Sequence, residues 1–138
     1  MTESVFLDTG IFVAWLVRED ARHKEAAALI DAPPPRWITS LGVVAEAYSW
    51  FLHRIDENAA RTFRLALADL KGLSLLALDV SHYRAVERKL ERLRGRKLTW
   101  VDASCLVFLA ERKIRKVWST DLDLGLEGAT VIPGPAQR

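Results

Sequence analysis

The chain has 138 residues, of which 50% are hydrophobic and 28% are charged, a balance typical of a folded soluble domain and not of a disordered segment. Twenty basic and eighteen acidic residues leave a formal net charge of +2, so net charge alone indicates no particular partner. No apolar stretch approaches the roughly 18–20 residues that cross a bilayer, and the N-terminus lacks the pattern of a secretory signal. We therefore expect no membrane association.

The length predicts one domain, which we place at residues 1–132, with a C-terminal tail at 133–138. The single cysteine, Cys105, excludes an internal disulfide and suits a reducing cytoplasm, where we expect the protein to act.

Short apolar runs alternate with stretches of helical periodicity along the chain. The predicted strands are 4–7, 36–39, 73–78, 116–120 and 129–132. The predicted helices are 22–31, 40–54, 56–70, 80–94 and 100–112. Strands that are continuously apolar and separated by helices are typical of a parallel sheet covered on both faces. The pattern predicts an α/β sandwich with a mostly parallel five-stranded sheet flanked by helices.

Two acidic residues follow predicted strands. Asp8 ends the first strand in "SVFLDTG", and Asp121 ends the fourth in "VWSTDLD". Because ligands bind outside the carboxyl ends of parallel strands, both residues fall on the edge where a site is expected. The alternatives are structural: Asp8 could cap a helix that begins near Gly10, and Asp121 could stabilise a turn.

Two further acids are isolated in apolar surroundings. Glu46 is the sole charged residue within 37–52, and Asp102 is the sole one within 98–110. A lone carboxylate in such surroundings is costly unless something pairs with it. Asp102 also fits a capping box with Thr99, whereas Glu46 lies too deep in its helix to cap and could instead be solvated or salt-bridged.

Four carboxylates at one sheet edge would repel one another unless cations lie between them. An oxygen-only donor set suits hard ions such as Mg²⁺ or Mn²⁺. The three histidines, His23, His53 and His82, share no metal-ligand spacing, and we interpret them as surface or capping residues.

At this point the sequence resembles a PIN-domain ribonuclease, and more narrowly the VapC-type toxins of toxin–antitoxin pairs. The stretches that carry the resemblance are "VFLDTG" with Asp8, "SLGVVAEAY" with Glu46, "LTWVDASCLVFLAE" with Asp102 and "VWSTDLDLG" with Asp121. The third is the most specific, because a hydrophobic residue followed by Asp-Ala-Ser at the start of an apolar helix is typical of the family. The resemblance implies a PIN-like three-layer sandwich.

Three positions depart from the family pattern. Gly10 stands where Ser or Asn is usual, which predicts the loss of one polar contact near the metal. Leu124 stands where an aromatic residue commonly follows the last acid. Ser119 replaces a frequent Thr and keeps the hydroxyl.

The resemblance implies metal-assisted hydrolysis of an RNA phosphodiester. Asp8 and Asp102 would be the principal ligands of Mg²⁺ or Mn²⁺, and Asp121 would support the same ion or a second one. Glu46 would hold the attacking water or take its proton. Thr9 and Ser119 would supply hydroxyl groups that orient the carboxylates.

Basic residues are expected beside such an acidic site, because RNA is itself an anion. Residues 84–97 contain seven basic and two acidic residues, and Arg84, Arg88 and Arg92 form one stripe at i, i+4 spacing. We interpret the stripe as an RNA-binding rim, with an ordinary solvated helix face as the alternative. The resemblance further implies a small antitoxin partner and a homodimer.

Two other enzyme classes that use early acidic residues do not fit. A haloacid-dehalogenase-type phosphotransferase needs a second Asp two residues after Asp8, where this chain has Gly10. A response-regulator receiver needs a mid-chain Asp at a strand end, whereas Asp56 lies between two predicted helices. The remaining alternative is a non-catalytic PIN-like module that binds metal or RNA and acts through a protein partner.

Overall fold

The computed structural model describes residues 3–136, and within them the chain forms five strands, six α-helices and one short 3₁₀ helix at Asp123–Gly125. The strands are β1 Ser4–Leu7, β2 Arg36–Ser40, β3 Ser74–Leu76, β4 Lys116–Ser119 and β5 Thr130–Pro133. The helices are α1 Thr9–Leu16, α2 His23–Asp31, α3 Leu41–Arg54, α4 Glu57–Ala68, α5 Val80–Arg92 and α6 Trp100–Arg112.

The five strands form one sheet in the order β3-β2-β1-β4-β5. Every neighbouring pair is parallel, so the prediction of an α/β sandwich is confirmed and the sheet is parallel throughout. The chain builds outward from β1 in one direction through β2 and β3, and in the other through β4 and β5. The strand order therefore reverses between β1 and β4, and the carboxyl ends of these two strands flank the point where such sheets bind ligands.

The central strands are buried because their side chains are apolar on both faces. Phe6 and Leu7 of β1 and Val117 of β4 are fully buried, as expected for a sheet covered by helices on both sides. The Thr39 hydroxyl donates to the carbonyl of Leu7 at 2.6 Å, so this buried polar side chain is satisfied internally.

The helix expected near Gly10 is α1, whose extent the sequence did not delimit. Residues 11–14 are all buried, so this helix lacks the one-sided apolar stripe by which amphipathic helices are recognised. The other five helices agree with their predicted ranges to within two residues at each end.

The structure corrects the predicted C-terminal tail. Strand β5 runs through Pro133, and the Gly134 amide donates to the carbonyl of Ser119 at 2.9 Å. Arg22 donates to the carbonyls of Pro133 at 2.6 Å and Gly134 at 3.2 Å. Pro133 is thus part of the sheet and Gly134 is hydrogen-bonded to it, so the predicted tail does not begin at residue 133. Residues 137 and 138 of the predicted tail lie outside the described residues.

His82 is also not a surface residue as expected. It is buried between α5 and α6, where its ring stacks on Phe108 with centroids 4.0 Å apart. Its Nε2 atom lies 2.6 Å from Ser104 Oγ. The histidine therefore helps to join the two helices.

None of the helices within residues 3–136 combines the length and the apolar character that crossing a membrane requires.

Candidate active site

The candidate site lies where β1 and β4 end side by side. Asp8 follows β1 directly, and Ser119 is the last residue of β4, two positions before Asp121. The strands are parallel, with Leu7 paired to Trp118, so the residues that follow them come together at one edge of the sheet.

Asp8 is almost completely buried, with 4% of its surface exposed. It occupies the N-cap position of α1, yet its side chain accepts no capping hydrogen bond from the helix. Its Oδ2 atom instead accepts a hydrogen bond from Ser119 Oγ at 2.7 Å. The carboxylate is thus held by the neighbouring strand, and capping of α1 does not explain it.

The pKa of Asp8 is raised to about 7, chiefly because the carboxyl group is buried; the Ser119 hydrogen bond lowers this pKa, and the negative charges of Asp121 and Asp102 raise it. A buried carboxylate beside other carboxylates resists ionisation because each charge is poorly solvated and repelled by the others. A cation at this place would remove both penalties.

Asp121 contacts the same serine through its backbone. Its amide donates to Ser119 Oγ at 3.3 Å, and its Oδ1 atom accepts from the amide of Asp123 at 2.9 Å. The predicted turn is therefore formed as well. Burial raises the pKa of Asp121, and the charges of Asp123 and Asp102 act in the same direction.

Asp102 occupies the third position of α6 and completes the capping box with Thr99. Thr99 Oγ1 accepts from the Asp102 amide at 3.0 Å, and Asp102 Oδ2 accepts from the Thr99 amide at 3.2 Å. The same carboxylate raises the pKa of Asp8 and of Asp121. The capping role and the site role, which are alternatives in the sequence, are thus compatible in the structure.

Glu46 is partly buried on α3. The helix begins after Ser40, whose side chain accepts from the Val43 amide at 3.2 Å. Glu46 Oε1 accepts a hydrogen bond from the hydroxyl of Thr9, the residue after Asp8. Glu46 forms no salt bridge among residues 3–136, so the alternative of a salt-bridged Glu46 is not supported within these residues.

The buried thiol of Cys105 is affected by the charges of the four acids that the sequence predicts as site residues. Cys105 is fully buried on α6, one turn after Asp102. Burial raises its pKa well above the usual value, and the charges of four carboxylates raise it further. Those four carboxylates belong to Asp8, Asp102, Glu46 and Asp121.

The donor chemistry of this cluster fits a hard divalent cation, because every side chain in it binds through oxygen. Nowhere in the described part of the chain are three His, Cys, Asp or Glu side chains already placed as a metal-binding group. The acids in the described residues therefore do not form a preformed metal cage.

One of the three arginines of the predicted RNA-binding stripe on α5 already forms a salt bridge. Arg92 Nη2 lies 2.5 Å from Glu127 Oε2, and Lys89 Nζ lies 2.7 Å from Glu127 Oε1. Among residues 3–136, Arg84 and Arg88 have no salt-bridge partner. Arg88, Lys89 and Arg92 line a groove of about 510 Å³ between α5 and α6.

Two of the departures from the family pattern have structural counterparts. Leu124 is fully buried in the 3₁₀ helix, so it serves as a core residue directly after the site. At Gly10, a β-carbon would lie 2.4 Å from the hydroxyl oxygen of Thr120. Thr120 is a residue that sequence reasoning did not single out, because nothing local distinguishes it.

A comparison with protein families decides the classification: residues 5–126 match the model of the PIN domain. The chain belongs to the PIN-domain family. This confirms the resemblance drawn from the four acidic motifs, and the fold is the PIN fold.

Similar solved structures cover nearly the whole chain. VapC20 from Mycobacterium tuberculosis, described as a toxin that cleaves the sarcin–ricin loop, has a TM-score of 0.83 at 22% identity, covering 91% of this chain and 96% of that one. FitAcB from Neisseria gonorrhoeae has a TM-score of 0.66 at 15% identity, covering 92% and 95%. A toxin–antitoxin complex from Klebsiella pneumoniae has a TM-score of 0.59 at 19% identity, covering 96% of each chain.

At these identities the likenesses establish a shared fold. A search of curated proteins found no relative of the chain.

Proposed function

We propose that this chain is an endoribonuclease that hydrolyses RNA phosphodiesters with Mg²⁺ or Mn²⁺ and acts as the toxin of a VapC-type toxin–antitoxin pair. PIN nucleases generally use divalent metal ions. The observation that supports the proposal is the Asp8 carboxylate at the strand-order reversal, which is buried, bonded to Ser119, and without a cationic partner in the described residues. The negative charges of Asp121 and Asp102 act on this carboxylate.

Asp8, Asp102 and Asp121 are the residues that would hold the cation. Asp8 and Asp102 are the principal ligands in this assignment, because the buried Asp8 gains most from a neighbouring positive charge. When bound, the cation would offset the charge that develops on the phosphate and make a nearby water molecule more acidic.

In this proposal, hydroxyl groups orient two of the carboxylates, and one carboxylate accepts a proton. The Thr9 hydroxyl fixes Glu46 Oε1, which leaves the second carboxylate oxygen of Glu46 to hold the attacking water and to take its proton. The Ser119 hydroxyl holds Asp8 Oδ2 and leaves Oδ1 for the cation. Hydrogen bonds of this kind orient metal ligands in proteins.

RNA would bind across the acidic edge with its phosphates held by basic side chains. Arg84 and Arg88 are the better candidates in the α5 stripe, since Glu127 already occupies Arg92. Each phosphate contact adds to affinity and to its salt dependence.

Partners follow from the same proposal. The similar structures include a toxin–antitoxin complex, which supports a small antitoxin that silences this chain. The proposal also takes the chain to act in the cytoplasm and to form a homodimer. Co-purification from the native host would test the partner: a short protein that binds the chain and inhibits cleavage is expected, and recovery of the chain alone with full activity would contradict it.

Cleavage itself is tested by incubating the purified chain with RNA in Mg²⁺, in Mn²⁺ and in EDTA, beside the variant Asp8→Asn. Cutting that requires a divalent cation and is lost in the variant is expected. Equal cutting by Asp8→Asn would contradict the active-site assignment. RNA binding without any cutting would favour the non-catalytic module instead.

A further inference from the structure

The first turn of α1 lies against the residue that follows β4, where Gly10 meets Thr120. A β-carbon at Gly10 would lie 2.4 Å from Thr120 Oγ1, 3.0 Å from the Thr120 amide nitrogen and 3.4 Å from Ser119 Oγ. The first of these distances is shorter than van der Waals contact allows, and the second is tighter than most such contacts. The space where a side chain at position 10 would stand is therefore already filled by Thr120.

Comparison with a second glycine shows that the close contact at Gly10 is not a general consequence of its position in the helix. Gly42 is also the second residue of a helix that follows a strand, in α3. A β-carbon there would meet Leu78 Cδ1 at 3.5 Å and Ser40 Oγ at 3.6 Å, which are ordinary contacts. Gly42 thus has room for a methyl group and Gly10 has none.

The close contact lies within the acidic cluster. Thr120 stands between Ser119, which holds Asp8, and Asp121. Gly10 lies two residues after Asp8. The approach of Thr120 to Gly10 therefore sets how closely the segment that carries Asp121 lies against the segment that carries Asp8.

We propose that Thr120 is a positioning residue of the cation site and that Gly10 is its matched partner. Thr120 fills the side-chain space of residue 10 and so sets the separation of Asp8 and Asp121. The inference rests on the proposed function, because it takes these two acids to hold one cation. It also gives the departure at Gly10 a reason: the hydroxyl of Thr120, the residue after β4, occupies the place where a polar side chain is usual.

The test is a double-mutant cycle on the full chain with Gly10→Ala, Thr120→Ala and the combination, in which the Kd for Mn²⁺ is measured by titration calorimetry. All measurements are made well below the melting temperature of every variant. Gly10→Ala is expected to weaken Mn²⁺ binding about tenfold, since a methyl group displaces Thr120, and the double variant should bind better than Gly10→Ala alone.

Two controls separate positioning from general stability. Gly42→Ala should bind Mn²⁺ as the wild type does, because its methyl group has room. Thr120→Ser keeps the oxygen and should also bind as the wild type does, whereas Thr120→Ala should bind more weakly. The Thr120 pair decides the matter even if Gly10→Ala fails to fold.

Wild-type Mn²⁺ affinity in Gly10→Ala, effects that simply multiply in the double variant, or equal affinities for Thr120→Ser and Thr120→Ala would each overturn the proposal. A wild-type chain that binds no Mn²⁺ would overturn it together with the proposed function. A chain that binds Mn²⁺ with the expected coupling but cuts no RNA would contradict the proposed function alone.

Discussion

Two strand-to-helix junctions of this protein look alike in sequence and differ in what they do. In β2–α3, Ser40 is the N-cap and Gly42 the second helical residue; in β1–α1, Asp8 and Gly10 hold the same places. The Ser40 side chain caps its helix, whereas the Asp8 side chain bonds to Ser119 on another strand. The β1–α1 junction thus lacks a cap worth about 1 kcal/mol, and its carboxylate is held by the neighbouring strand instead.

The difference comes from the neighbours of each junction. The end of β1 meets the end of β4, which supplies a hydroxyl to Asp8 and fills the space beside Gly10. The start of α3 meets Leu78, which only contacts it loosely. The Asp8 side chain thus bonds to a hydroxyl group that the neighbouring strand supplies, whereas Ser40, which is paired with the apolar Leu76 at the end of β3, caps its own helix.

The strongest test replaces Asp8 and Ser40 separately and compares the effects on cleavage and on stability. Asp8→Asn should reduce RNA cleavage by roughly a hundredfold or more, because loss of a cation ligand removes several kcal/mol of transition-state stabilisation. Ser40→Ala should leave cleavage nearly unchanged while lowering the free energy of unfolding by about 1 kcal/mol. Cleavage rates and urea unfolding of both variants check this, and the opposite pattern would remove the distinction between the junctions.

Measurements of stability as a function of pH should show how much the buried Asp8 carboxylate lowers the free energy of unfolding. The pKa of Asp8 is raised to about 7, so in the cation-free protein the folded chain keeps a proton that the unfolded chain has lost between about pH 4 and pH 7. Stability should therefore fall as the pH rises through this window, with the full penalty present above about pH 7. The penalty is at most on the order of 4 kcal/mol.

Urea unfolding in EDTA measures this penalty. Asp8→Asn should be more stable than the wild type at pH 8, and the gap should close towards pH 4. Ser119→Ala should shift the window to higher pH, because the serine hydrogen bond lowers the pKa of Asp8. A stability gap that does not change with pH would contradict the assignment.

The start of α6 offers a third junction at which one residue has both roles. Asp102→Asn keeps an oxygen that can accept from the Thr99 amide, so its melting temperature should stay within a few degrees of the wild type while Mn²⁺ affinity falls about tenfold. Thr99→Ala should behave oppositely, losing about 1 kcal/mol of stability with little change in affinity. Thermal melts beside Mn²⁺ titrations separate the two roles, and a large destabilisation by Asp102→Asn would assign the residue mainly to the cap.

The smallest expected effect concerns the segment that follows Asp121. Glu127 ties this segment to α5 through Lys89 and Arg92, and partly exposed pairs of this kind contribute about 0–1 kcal/mol. Glu127→Gln should therefore barely change stability, but it frees two cations and should steepen the salt dependence of RNA binding by up to about 1.4 in the log–log slope. Binding is measured in EDTA to prevent cleavage.

Glu91→Gln is the matched control, because Glu91 pairs with Arg94 on a fully solvated face. An equal change in slope for both variants would show that general charge, and not the groove between α5 and α6, attracts RNA.

Much of the fold could be predicted because its signals are local. Continuous apolar runs marked all five strands, and one-sided apolar stripes marked helices such as α3 and α5. The extent of α1 could not be predicted, because its residues 11–14 are all buried and leave no one-sided apolar stripe. The C-terminal end of the sheet could not be predicted either, because Pro133 and Gly134 are bound by Arg22, more than a hundred residues away in the chain.

By itself, the sequence determined that Asp8 and Asp121 share an edge, because carboxyl ends coincide in any parallel sheet whatever its strand order. Only the tertiary structure decided what each acid contacts: Ser119 holds Asp8 across 111 positions of the chain, Glu127 pairs with Arg92, and Thr120 fills the space beside Gly10. Those contacts depend on which strands become neighbours, and the local periodicity of a sequence carries no record of strand order.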